Sequence, residues 1–331
     1  MIQGTTQFQS ILASEMTDFL GQQRALGKRF INEERALRLF DHYLVDRKIN
    51  AITEITPAVV DAFLASRPRS RPRSYNHLLS VVRRLFKWLV RQQRVAQTPV
   101  QSQARHATAG QMMFLFDRVQ AQQLLKLAAE LPDNNRAWNR GRIYSLTFAL
   151  MYGLGLRVGE VARLCRQDVD LERDLLVIRE TKFLKSRLVP FGPKLGARLR
   201  EYLQQQTESA GALAPTAPLF SFGPNPSQAI HPGTISQTFH VLWPRLGLKV
   251  PTGAMPPRAH CLRHSFAVGT LLRWYRSGIN PQQRLWDLST FMGHVHPAST
   301  AVYLTITAEL LESANQRFNH FAAPLLKEVT P

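Results

Sequence analysis

Cysteine is nearly absent: Cys165 and Cys261 are the two in 331 residues. They form no CxxC pair and no disulfide framework, which excludes a small stapled secreted fold and suits a reducing compartment. Acidic residues are scarce as well, with 23 Asp and Glu against 42 Lys and Arg, leaving a net charge of +19. An imbalance of that size speaks to partners rather than to fold, and a polyanion is the expected partner. Long apolar runs are also missing. The most apolar stretch, residues 143–156, is broken by Tyr144, Ser145, Thr147, Gly153 and Gly155 and falls short of a bilayer span. It reads as a buried helix. Met1-Ile-Gln-Gly-Thr-Thr-Gln7 is neither basic nor apolar, so no signal peptide is expected. There is no internal repeat. What is present is a 44% hydrophobic, 9% aromatic chain, long enough for two cores and expected to be soluble and cytoplasmic.

Residues 1–97 read as a helical domain. Phe8, Ile11, Leu12, Met16, Phe19 and Leu20 recur at helical spacing, as do Ala36, Leu37, Phe40, Tyr43 and Leu44. Thr56-Pro57 is a cap followed by proline at the first helical position, opening a short third helix. Arg69, Arg71 and Arg73 then stand in a proline-broken basic loop. The fourth helix, about 74–93, puts Leu78, Val82, Leu85, Phe86 and Leu89 on one face and Arg84, Lys87, Arg91 and Arg94 on another. A row of cations is usually just a solvated helix face. Here the adjoining arginine loop, and a helix without acidic residues, favour the DNA backbone or major groove.

Residues 98–113 are polar, weakly periodic and expected to link two domains. Residues 114–331 mix helices with a hairpin pattern, Leu175 to Glu180 and Arg187 to Phe191, with Lys182 and Lys185 at its turn. Late in the chain come His260-Cys-Leu-Arg263-His264, then Gly293-His294-Val-His296, then Tyr303. Glycines around Arg157 end one helix just before Glu160 begins another, which would present that guanidinium at a turn. A last amphipathic helix is expected over 309–321. The fold class is thus mainly α with a small antiparallel sheet.

These residue types suit phosphodiester chemistry. A phosphate under attack gathers charge on its non-bridging oxygens, and guanidinium forks match that geometry while staying charged. Arg157 and Arg263 would hold it from two sides. A tyrosine nucleophile conserves the energy of the broken linkage in a phosphotyrosyl bond. A lysine can protonate the leaving hydroxyl, and imidazoles complete the hydrogen bonding. No cofactor is required. A zinc pair at His260 and His264 is conceivable from their spacing, but Arg263 between them and the missing HExxH argue against it. His264 and His296 read better as structural histidines.

In order, Arg157, Lys182, His260-x-x-Arg263, His294 and Tyr303 resemble the tyrosine recombinases, the family of phage integrases, Cre and the Xer recombinases. The resemblance covers the whole chain. It implies an N-terminal SAM-like core-binding domain and a C-terminal catalytic domain. It makes Arg157 and Arg263 the catalytic arginines, Glu160 a buttress, and Lys182 the general acid, with Lys185 as runner-up. His260 and His294 become phosphate ligands, with His296 close enough to compete, and Tyr303 the nucleophile. It further implies double-stranded DNA with specific sites as substrate, a Holliday-junction intermediate and a homo-tetramer docked through the C-terminal helix. Companion recombinases and a nucleoid location would follow from the same work. The expected work is mobile-element integration or excision. The alternatives are Xer-like resolution of chromosome or plasmid dimers, a type IB topoisomerase, and a catalytically idle DNA-binding relative. Departures from the family pattern are Cys261 within the second box, Val295-His296-Pro297 after His294, and a long aromatic stretch from Arg273 to Leu288.

Overall fold

A computed structural model describes residues 7–69, 71–106, 112–179, 186–223, 228–294, 296 and 298–305. The chain divides into two compact units, residues 1–110 and 111–331.

The first unit holds four helices: α1 (Ala13–Ala25), α2 (Ile31–Asp46), α3 (Pro57–Ser66) and α4 (Pro72–Arg91). Thr56 caps α3 by accepting from the Val59 N–H, and Pro57 fills a position whose missing donor costs nothing. The apolar face of α4 buries Leu78, Leu79, Val81, Val82, Leu85, Phe86 and Leu89. Phe40 of α2 sits 4.8 Å from Phe63 of α3 and 6.2 Å from Phe86 of α4, centroid to centroid. Asp41 is buried, but its carboxylate accepts from the Gln9 and Ser10 N–H groups ahead of α1, so its charge is well partnered. Part of the expected linker belongs here. Val100 enters this core, and the Asn76 amide brackets the backbone of Arg105 from both sides at 2.8 Å.

The second unit runs α5 (Arg118–Ala129), α6 (Arg140–Leu154), α7 (Val158–Ala162), β1 (Val169–Asp170), β2 (Leu175–Ile178) and β3 (Arg187–Pro190). Then follow α8 (Pro193–Ala210), α9 (Pro232–Leu242), α10 (Ala259–Arg276), α11 (Leu285–Met292) and α12 (Ala298–Ala301). A 3₁₀ turn, Val302–Thr305, carries Tyr303. Helix α6 is buried nearly all round, from Ile143 to Met151, as its apolar run requires. It starts earlier than its apolar residues do, at Arg140. The three strands form one antiparallel sheet in chain order, with Leu176 opposite Val189 and Ile178 opposite Arg187. Leu176, Ile178 and Val189 point into the core. The sequence pattern gave two of these strands; β1, with two residues, is too short to show a period. Lys182, Lys185 and the helix expected over 309–321 lie outside the described residues. Among the described residues, no helix is long and apolar enough to cross a membrane.

Candidate active site

The site is built where five chain segments meet: the turn after α6, the start of β3, the first turns of α10, the end of α11 and the 3₁₀ turn with Tyr303. Helix α6 ends on Gly155, which adopts φ +62°. A β-carbon there would lie 2.4 Å from a ring carbon of Phe266, so glycine is needed both for the turn and for space. Two residues on, Arg157 precedes α7 with extended backbone, and its N–H donates to Oε2 of Glu160 at 2.9 Å.

Glu160 is buried and takes two arginines. Oε1 accepts from Nη1 of Arg157 at 2.6 Å and Nη1 of Arg187 at 3.1 Å, while Oε2 accepts from Nη2 of Arg187 at 2.9 Å. Arg263 stands 3.9 Å away. Burial works against the charge of Glu160, but the hydrogen bonds and charge of Arg187, then of Arg157, outweigh it and hold the carboxyl at about 2.

The end of α11 supplies the other anchors. A helix leaves its last carbonyls without partners and carries partial negative charge there. Phe291 O accepts from Nε of Arg187 at 2.8 Å, Met292 O from Nη2 of Arg263 at 2.7 Å and Nη1 of Arg157 at 3.4 Å, and Gly293 O from Nη2 of Arg157 at 2.9 Å. Arg263 also donates to Gly155 O and is 1% exposed. Burial, then the charge of Arg157, pushes its pKa down to about 9, so it is still cationic at neutral pH. Two guanidiniums from separate elements thus meet on one carbonyl oxygen.

Three imidazoles border this pair. His260 and His264, one turn apart on α10, face each other at 4.5 Å edge to face. Nδ1 of His264 lies 2.7 Å from the hydroxyl of Tyr303, and Nδ1 of His294 lies 2.6 Å from Oγ1 of Thr300. Burial, then His260 and Arg263, lowers His264 to about 3, and burial, then Arg263 and Arg157, lowers His294 to about 4. His260 is lowered to about 4, by desolvation and then by Arg263 and Arg157. Tyr303 is 3% exposed, and burial raises its pKa against the opposing pull of Arg263 and Arg157.

Arg157, Glu160, His260, Arg263, His294 and Tyr303 are therefore brought together. His296 is exposed, and its carbonyl receives the Ser299 N–H. His264, expected to be structural, contacts the hydroxyl of Tyr303. Sequence reasoning passed over Arg187; the available signal was an arginine opening a strand whose neighbour two places on, Val189, is core. In the first unit Arg71, Arg73, Lys87 and Arg91 are exposed. Three of the expected cations differ. Arg84 lies over the Phe30 ring at 5.0 Å and 3.6 Å from Glu33 of α2, an acidic neighbour that inspection of its own helix could not reveal. Arg94 lies past the end of α4, beyond Gln93 with φ +57°. Arg69 is half-buried, with a buried Nε that has no hydrogen-bond partner among the described residues.

An arginine cluster beside a tyrosine, on this mixed helical scaffold, has the parts that a DNA strand-breaking and rejoining enzyme needs. Residues 116–309 match the phage integrase family, and residues 32–93 match the phage integrase N-terminal SAM-like domain. The chain belongs to that family, the tyrosine recombinases, whose members are site-specific DNA recombinases. It is 32% identical over 312 residues to a protein named as an integrase/recombinase, y4rB of Sinorhizobium fredii, spanning 93% of this chain and 97% of that one. It is 28% identical over 172 residues to tyrosine recombinase XerA of Thermococcus onnurineus, spanning 52% of this chain and 54% of that one. Among solved structures, the XerH recombinase in a post-cleavage complex with difH DNA aligns with TM-score 0.63 at 17% identity, covering 92% of this chain and 84% of XerH. The Tn1549 transposon integrase with transposon right-end DNA gives 0.63 at 16%, covering 93% and 99%. These two likenesses are of fold.

Proposed function

We propose that the protein exchanges strands between specific DNA sites with Tyr303 as nucleophile. Tyr303 attacks the scissile phosphate, giving up its phenolic proton to a neighbouring imidazole as its oxygen bonds to phosphorus and the bond to the 5′ oxygen breaks. A 3′-phosphotyrosyl link and a free 5′-hydroxyl result, and Lys182 supplies the proton that the departing oxygen takes up. Arg157 and Arg263 grip the non-bridging oxygens, with His260 and His294 donating beside them. The partner strand's hydroxyl then reverses the step, and two rounds pass through a Holliday junction on a tetramer. Glu160 braces Arg157. The observation that carries this reading is the meeting of Arg157 and Arg263 on Met292 O, beside the His264 imidazole that contacts Tyr303.

DNA is held in addition by the exposed cations of the first unit, Arg71, Arg73, Lys87 and Arg91, and by Lys185. The division into a DNA-gripping unit and a catalytic unit follows from this. The work takes place in the cytoplasm, on the nucleoid. Its setting is mobile-element integration or excision, supported by near full-length similarity to a protein named as an integrase/recombinase.

A duplex carrying the recombination site, nicked next to the cleavage position so that the cut strand escapes, tests the assignment. Wild-type protein should accumulate covalent protein–DNA, and Tyr303→Phe should give none. Covalent product from the phenylalanine variant would overturn the nucleophile.

A further inference from the structure

Among the described residues the Arg187 side chain makes three hydrogen bonds, and they go to the frame of the site. Its Nε donates to Phe291 O at 2.8 Å, and its two Nη groups donate to the two oxygens of Glu160 at 3.1 and 2.9 Å. The side chain is 10% exposed. Each Glu160 oxygen receives one bond from Arg187 and one from Arg157, so the two arginines grip the same carboxylate. The chain is shaped around this side chain. Gly293, at φ +67°, would carry a β-carbon 2.6 Å from Nη1 of Arg187. Its own carbonyl accepts from Arg157. Arg187 opens β3, and its backbone is registered against buried Ile178.

A guanidinium committed in this way is placed to orient other groups rather than to grip phosphate itself. Resting on the strand-exchange reading, we propose that Arg187 is a positioning residue of the active site. It fastens β3, Glu160 and the end of α11 into one piece, so that Arg157 meets the phosphate in a single orientation.

The carboxylate provides a readout. Groups facing Glu160 are Arg157 from its own turn, Arg187 from β3 and Arg263 from α10, with His260 of α10 coupled at longer range. Arg187 is the strongest opponent of the desolvation that favours the neutral acid. Without it, the carboxyl pKa rises, and acid then removes the charge that braces Arg157. Cleavage by an Arg187 variant should therefore fall between neutral and mildly acidic pH, where Glu160 in the wild type is still fully ionised.

The experiment measures cleavage of the nicked duplex at saturating protein, DNA affinity by mobility shift, and thermal melting. Wild type and Tyr303→Phe come first: if wild type fails to trap DNA, the strand-exchange reading fails, independently of Arg187. Given trapping, Arg187→Met should bind DNA near wild-type affinity and cleave about a hundredfold more slowly, as a misplaced catalytic group does. Its deficit should deepen with acid, and Glu160→Gln in the same background should remove that deepening. Arg187→Lys keeps the charge but lacks the fork, and should restore melting without restoring rate. If the methionine variant does not fold, the lysine variant decides alone: a wild-type melt with slow cleavage supports the role, and wild-type cleavage overturns it. A methionine variant cleaving at the wild-type rate, or one whose lost rate tracks lost DNA binding at every pH, also overturns it.

Discussion

The hydroxyl of Tyr303 is 2.7 Å from Nδ1 of His264. With the tyrosine donating, the imidazole carries its own proton on Nε2, consistent with a ring kept neutral by its surroundings. Attack on a phosphate requires that bond to be released. His264→Ala leaves a buried hydroxyl without its partner and should cost about 1–3 kcal/mol in urea unfolding. His264→Asn, whose amide oxygen can stand near the Nδ1 position, should recover most of that loss; equal losses in both would show that the contact does not stabilise the fold. The imidazoles also set a pH dependence. His264 and His294 have folded pKa values near 3 and 4, below the ordinary value of 6.5. The unfolded chain therefore binds more protons across that interval, and stability should decline as pH falls from about 6.5 towards 4. Thermal melts should show the decline, and replacing both rings with glutamine should flatten it. At this scale the sequence was informative where chemistry restricts the choice of residue. Arg157, Arg263 and Tyr303 stand out because few side chains can clamp or attack a phosphate. Arg187 did not stand out, because its role depends on Glu160 and Phe291, 27 and 104 residues away in the chain.

Among the elements, periodicity marked α4 and α6 well, since each buries a long apolar surface. A helix in or beside Tyr303 is expected from the sequence, but periodicity could not bound α12 or the 3₁₀ turn, which are one turn each and set by packing against α10 and α11 rather than by local pattern. The turn from α6 to α7 is the tightest of the site's supports. Gly155→Ala would combine a left-handed backbone with a collision against Phe266, and should destabilise the protein by about 1–3 kcal/mol. Because the Gly155 carbonyl accepts from Arg263, cleavage should suffer along with stability. A wild-type melting temperature for this variant would contradict the packing.

For the whole molecule, the net charge of +19 foretold the polyanion but not where it lies. Arg84, turned against Phe30 and Glu33, shows why a helical face read in isolation overcounts free cations: partners come from other helices. DNA affinity should fall linearly with the logarithm of salt concentration, with a slope of about −0.9 for each phosphate contacted. Charge removal at Lys87 and Arg91 should lower that slope by up to about 1 each, while removal at Arg84 should change it less. Equal changes at all three would place Arg84 on the DNA after all.

The carbonyls of Phe291, Met292 and Gly293 hold three arginines, yet at Phe291 and Met292 any amino acid would bring the same oxygen atom. Alanine scanning is therefore blind to half of this clamp. Substituting Phe291 or Met292 tests only the packing of a side chain. Exposing the main-chain contribution takes an amide-to-ester replacement, which weakens one carbonyl as an acceptor and leaves every side chain in place.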